Sequence, residues 1–178
     1  MVGGTSAAAQ PIAFIRESTD ADLPAILDVH REAFGSEDEP RMIEQTHGGH
    51  DEVASYVAEV AGRVVGHAQL VVVHLADQSG LRGLLGLGPV GVRPAYQRRG
   101  LGSAMLEALI REGRGAGASR LFVLGHPEFY SRFGWTPAAP LGFRCAWTDG
   151  PPFMVLDLKP SKEVDPGEVR WPDAFYDG

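Results

Sequence analysis

The stretch Val90-Gly91-Val92-Arg93-Pro94-Ala95-Tyr96-Gln97-Arg98-Arg99-Gly100-Leu101-Gly102-Ser103 joins a strand to a helix through a polar turn. The strand is read over Leu84 to Val92. Gly86, Gly88, Pro89 and Gly91 interrupt it, which signals a bulge or a close backbone approach to a ligand. The helix follows from Leu101, Ala104, Met105, Ala108 and Leu109, which fall on one helical face. Its first N–H groups lack internal partners and, with the helix dipole, form an anion site. Gly100 and Gly102 remove side chains that would block a phosphate, while Arg98 and Arg99 add charge beside it.

A second glycine pattern is a decoy. Gly86, Gly88 and Gly91 match G-x-G-x-x-G, but that fingerprint needs a helix opening directly from the turn. Pro94 disfavours helical geometry at Arg93, so no dinucleotide site is expected there. A Walker A loop is excluded because no Gly-Lys-Ser/Thr occurs in the chain.

Outward from this stretch, strands and helices alternate irregularly. Ile12 to Glu17 reads as a first strand, and Leu23, Ile26, Leu27, His30 and Phe34 as a helix ending near Gly35. Met42 and Ile43 permit a short helix within Ser36 to His50. Val53 to Val60 and Val64 to Leu75 form a hairpin about a tight turn at Gly62-Arg63. Arg120 to Leu124 is a strand, and Pro127 starts a helix through Phe133. Phe143 to Trp147 and Phe153 to Leu158 are two further strands, and Ser161 to Gly178 is an extended tail pinned by Trp171, Phe175 and Tyr176. The expected organisation is a flexible leader (1–11), one α+β domain (12–160) and a packed C-terminal tail (161–178).

The 178 residues, 44% of them hydrophobic, suffice for one core without metal or disulfide, since such a chain buries roughly 70% of its extended surface. The single Cys145 sits in an apolar stretch and reads as a core residue. Met1 to Pro11 lacks the charged and apolar regions of a signal peptide, and no apolar run approaches the roughly 20 residues that span a bilayer. A cytoplasmic protein is expected. The net charge of −7 argues against non-specific nucleic-acid binding, whereas Arg93, Arg98 and Arg99 cluster as a small basic spot suited to a discrete anionic ligand. His47-Gly48-Gly49-His50 lacks the supporting spacing of a metal site, so no metal is assigned.

The wider pattern carries a resemblance. Leu87 to Val92, then Arg93-Pro94-Ala95-Tyr96, then Gln97-Arg98-Arg99-Gly100-Leu101-Gly102 is similar to the acetyl-CoA motif of the GNAT superfamily of N-acetyltransferases. Glu59 to Gly66 resembles the family's second and third strands. Val123 to Trp135 resembles its fifth strand and next helix, in a form similar to a bacterial subgroup of mostly predicted acetyltransferases. The resemblance covers about Ile12 to Leu158. It implies a mixed, mostly antiparallel twisted sheet of about seven strands flanked by helices, splayed at the fourth and fifth strands. It also implies acetyl-CoA as cosubstrate and an amine acceptor, as a small molecule or a peptide. Dimers are common in the family, so a homodimer is an expected assembly.

Residue by residue, the resemblance places the pantetheine arm beside Val90, Gly91 and Val92. It places the pyrophosphate on the segment Gln97, Arg98, Arg99, Gly100, Leu101, Gly102 and Ser103. Tyr130 matches a tyrosine that protonates the departing thiolate, a transfer made feasible by reference pKa values within about two units. The glutamate that many members carry on the splayed strand is missing from Leu84 to Val92. A water relay is the expected substitute, with His67, His74, His126 and Glu128 as endpoints, and His47 and His50 beside the acceptor pocket. A non-catalytic acyl-CoA sensor and a longer acyl donor are the alternative readings.

Overall fold

Val64 to Val71 is buried residue after residue because the strand that they form lies under helices on both faces. The computed structural model describes residues 12–77, 83–148, 150–159 and 166–176. Its large sheet has seven strands in the order β1 (Ala13–Glu17), β2 (Glu52–Val60), β3 (Arg63–Val72), β5 (Leu84–Val92), β6 (Arg120–Leu124), β8 (Phe153–Asp157) and β7 (Thr136–Pro137). Every pairing is antiparallel except that of β5 with β6. A small second sheet pairs β4 (His74–Leu75) with β9 (Val169–Arg170).

Alternation along β3 assigns the helices to faces. The Cα of Gly66 faces Met105 of α3 (Leu101–Gly115), whereas the next residue, His67, bonds His30 of α1 (Leu23–Phe34). Met105, Leu106 and Leu109 fill the core on the first face. Ile26 and Val29 of α1 and Ile43 of α2 (Asp38–Thr46) fill it on the second. Phe122, Phe143, Phe153 and Trp171 extend that core under the C-terminal segment. Among the described residues no helix is long and apolar enough to cross a membrane.

Several elements differ from the sequence reading. The β2–β3 turn is Ala61-Gly62, with φ of 50° and 75°, the paired positive values of a type I′ hairpin. The return strand stops at Val72, and His74–Leu75 leaves to pair with Val169–Arg170. Phe143 to Trp147 is not a strand: Thr136–Pro137 already occupies the edge of β8, and only an isolated bridge joins Arg144 to Glu168. Cys145 is buried there, its thiol donating to Thr148 O at 3.1 Å. The helix from Pro127 makes one α-turn, α4 (Pro127–Tyr130), then tightens to a 3₁₀ turn ending at Gly134, whose φ is 88°.

A polar chain crosses the core from α1 over β3 to β2. His30 Nε2 lies 2.8 Å from His67 Nδ1, His67 Nε2 lies 2.9 Å from Ser55 Oγ, and Ser18 Oγ donates to Ser55 Oγ at 2.6 Å. Burial pushes His30 from 6.5 down to about 4, and burial followed by the neighbouring His30 pushes His67 down as well. Both rings are neutral at neutral pH. The unfolded chain therefore binds protons below about pH 6.5 that the folded chain refuses, so stability falls with pH between the two values. For His30 alone the full loss amounts to roughly 3 kcal/mol. Urea unfolding should show a declining midpoint from about pH 7 to about pH 4.5, with a smaller decline in His30→Gln. A flat profile in the wild type would contradict this account of the pair.

Candidate active site

β5 and β6 pair only at Leu84–Arg120, Leu85–Leu121 and Gly86–Phe122. Beyond these, β5 continues to Val92 along β3, while β6 runs to Leu124 along β8. A cleft of about 850 Å³ opens where the strands part. Side chains fix the divergence. The Trp171 indole N–H donates to Leu87 O at 3.1 Å, and a Cβ on Gly86 would lie 2.6 Å from that same nitrogen. Opposite Gln69, β5 carries two residues, Gly88 and Pro89, in a bulge. Gln69 fills the space that a Gly88 side chain would need, at 2.6 Å, and bonds Thr46 Oγ1.

Past Val92 the chain turns into α3. Arg98 and Gly100 both have positive φ, 58° and 80°. Left-handed residues interspersed with ordinary ones turn successive N–H groups to one side, making a concave anion site. Gln97 Nε2 braces the turn by donating to Val92 O at 2.9 Å. The first helical bond runs from Ala104 N–H to Gly100 O at 2.9 Å. The N–H groups from Arg98 to Ser103 thus have no partner among the described residues, and the turn that carries them borders the cleft. A Cβ on Gly102 would meet Phe129 only at 3.8 Å, so the glycine keeps space open in the cleft rather than relieving a clash.

Tyr130 enters from the β6 side. Its ring packs edge-on against Phe129 and Trp135, with centroids 5.0 and 5.6 Å away. Gly125 makes the approach possible, since a Cβ there would lie 2.3 Å from Tyr130 Cε2. The residue is buried yet lines the cleft, and nothing among the described residues accepts from its hydroxyl. Burial pushes the phenol up to about 12. It therefore stays protonated throughout the physiological range.

A model of the acetyltransferase (GNAT) domain matches residues 14–138. The uncharacterized N-acetyltransferase YjhQ of Escherichia coli K12 is 30% identical over 123 residues, 67% of each chain. This chain belongs to the GNAT acetyltransferase family. Among solved structures, GNAT family N-acetyltransferase YhbS of Escherichia coli in complex with CoA superimposes with a TM-score of 0.86 at 26% identity, over 95% of this chain and 94% of that one. A GNAT family acetyltransferase of Brucella melitensis in complex with acetyl-CoA gives 0.77 at 28% identity, over 92% and 98%. The seven-stranded, mostly antiparallel sheet with flanking helices is the GNAT fold.

Within this GNAT domain the expected residues separate into two groups. Val90, Val92, Gln97, Arg98, Gly100, Leu101, Gly102, Ser103 and Tyr130 all line the cleft. Gly91 and Arg99 do not. Gly91 faces the other side of the sheet, where its Cβ would meet His30 Nδ1 at 3.0 Å, and the Arg99 guanidinium lies over Tyr96, 5.4 Å from the ring centroid. Arg93 also leaves the basic spot: it is buried, donates to Val64 O and pairs with Glu32. Arg132 replaces it at the cleft, 3.1 Å from Ser103 Oγ and stacked over Phe129.

Of the expected relay endpoints, His126 alone lines the cleft. His67 is enclosed between β3 and α1, His74 lies on the small second sheet, and Glu128 is outside the lining. His47 turns inward, its Nδ1 3.4 Å from Glu52, and His50 is exposed beside Asp51; neither touches the cleft. The carboxylate that does line it, Glu39 of α2, was not singled out from sequence. Its signal was the Ser36-x-x-Glu39 spacing of a capping box, although the N-cap of α2 is Glu37 and Ser36 Oγ instead donates directly to the Glu39 carboxylate.

The two glycines yield a paired test. Gly125→Ala should destabilise the fold by about 1–3 kcal/mol, because Tyr130 must move out of the packed core. Gly102→Ala should leave stability within about 0.5 kcal/mol once its small helix-propensity gain is allowed for. Denaturant unfolding of both checks this, and wild-type stability in Gly125→Ala would refute the assigned packing of Tyr130.

Proposed function

We propose that this GNAT acetyltransferase moves the acetyl group of acetyl-CoA to a primary amine by direct attack within a ternary complex. The supporting observation is that one cleft joins the unpartnered amides of Arg98 to Ser103, the free edge of β5 and the Tyr130 hydroxyl. The fit to the cosubstrate is chemical. Amide donors at a helix start suit a pyrophosphate, and Arg98 and Arg132 add charge for it. The β5 edge at Val90 and Val92 suits an amide-bearing arm laid alongside like an added strand. The related structures with bound CoA or acetyl-CoA support the same assignment.

In this reading the amine nitrogen attacks the thioester carbonyl, the C–S bond breaks, and Tyr130 meets the negative charge that develops on sulfur. Its raised pKa refines the sequence expectation. A phenol near 12 is a weaker acid than a free thiol of about 8.5, so the gap exceeds the one set by reference values. Tyr130 accordingly acts first as a fixed hydrogen-bond donor to the sulfur, and the proton it passes to the departing thiolate is replaced, through water, by the one that the acylated nitrogen loses. The proton shed by the ammonium passes through water to His126 or Glu39, the cleft residues able to receive it.

Gly102→Glu would put a carboxylate where phosphate binds. Calorimetry should then show acetyl-CoA binding lost in a folded protein, and unchanged affinity would sink the assignment. Tyr130→Phe keeps the ring and removes its only donor. Turnover should fall by roughly 10²–10⁴-fold while acetyl-CoA affinity holds. Wild-type turnover in this variant would reduce Tyr130 to a packing residue.

A further inference from the structure

The two ends of the cleft differ in chemistry. Arg98 and Arg132 lie at the end where α3 begins. At the other, Phe34, Met42, Trp147, Trp171 and Phe175 form an apolar wall around one carboxylate, Glu39. Three separate parts of the chain supply this wall: the end of α1 with α2, the loop holding Trp147, and the C-terminal segment. Trp147 stacks on Tyr176 at 4.9 Å and meets Trp171 edge-on at 5.5 Å. Even so, Trp147 remains 41% exposed and Phe34 44%, two large apolar surfaces kept in water beside a cavity.

Glu39 is held rather than neutralised. Its Oε2 accepts from Ser36 Oγ at 2.8 Å, and that hydroxyl is itself fixed by the Asp38 N–H at 2.9 Å. No cation among the described residues pairs with it. A positioned carboxylate in an aromatic cavity is complementary to an ammonium ion, through charge-assisted hydrogen bonding and the electron-rich ring faces. Among the described residues it is also the single carboxylate of the cleft. A second ammonium beside the aromatic wall would meet Phe, Trp and Met and no further carboxylate among the described residues.

Resting on the acetyltransferase reading above, we infer that the acceptor is a small primary monoamine with an apolar, preferably aromatic body. Its ammonium is recognised by Glu39 and its body lies on the aromatic wall. Polyamines and aminoglycosides are disfavoured by the same features. Glu39 is thereby a specificity-determining residue at the acceptor end.

Binding to the CoA-saturated chain tests this without needing turnover. The full chain is first titrated with CoA, then the complex is titrated calorimetrically with 2-phenylethylamine and, separately, with spermidine. The expected result is saturable binding of 2-phenylethylamine, at least roughly tenfold tighter than that of spermidine. Glu39→Gln keeps a partner for Ser36 and removes the charge. It should weaken 2-phenylethylamine by about tenfold or more while leaving CoA affinity unchanged. Trp147→Ala should weaken it too, and Trp147→Phe should restore most of the loss. Spermidine binding as tightly as the aromatic amine, an unchanged affinity in Glu39→Gln, or no amine binding to the CoA complex would each overturn the inference. Failure of CoA to bind in the first titration would instead overturn the acetyltransferase reading, and this inference with it.

Discussion

The parallel ladder between β5 and β6 stops after Gly86–Phe122, and the arrangement of the site depends on that stop. Buried strand edges carry N–H and C=O groups that need partners. Here one is met from within: the Trp171 indole takes Leu87 O, in space that a side chain on Gly86 would fill. Pro89 has no N–H to satisfy, and Gln97 takes Val92 O at the far end. The remainder of the edge borders a cavity, where a ligand able to form strand-like hydrogen bonds can complete the sheet.

Packing on the opposite face holds β5 in place while its partner leaves. Gly91 lies against His30, and His30 is tied through His67 and Ser55 to β2 and β3. Arg93, just past the strand, is clamped between Val64 O and Glu32 of α1. These contacts make β5 a rigid wall. They also explain why residues that look functional by type, Arg93 and His67, serve the wall rather than the cleft. The turn above it can then adopt two left-handed residues and leave its amides unpaired, because strand and helix fix both of its ends.

Local pattern carried much of this into the sequence reading. The periodicity of Leu101 to Leu109, the interrupted β5 and the glycine-rich helix start are short-range signals, and each element formed where it was expected. Which face a residue takes is not short-range. The bulge at Gly88-Pro89 shifts the alternation of β5, which turns Gly91 toward α1 and leaves Val90 and Val92 on the cleft side. At Phe143 to Trp147 no strand forms: the β8 edge is taken by Thr136–Pro137, and Arg144 bridges to Glu168 instead. The aromatic part of the cleft was the least legible. Phe34, Glu39, Trp147, Trp171 and Phe175 are far apart in sequence, and only the tertiary fold gathers them.

Isotope-edited NMR of the CoA titration addresses the central claim most directly, because it reads backbone amides one by one. The largest shift changes are expected on the N–H groups of Arg98, Gly100, Leu101, Gly102 and Ser103, with further changes at Val90 and Val92. Gly91, turned toward His30, and the paired end of β5 at Leu84 and Leu85 should move little. Perturbations absent from the turn, or centred on the second pocket lined by His74, Arg170 and Asp173, would contradict it.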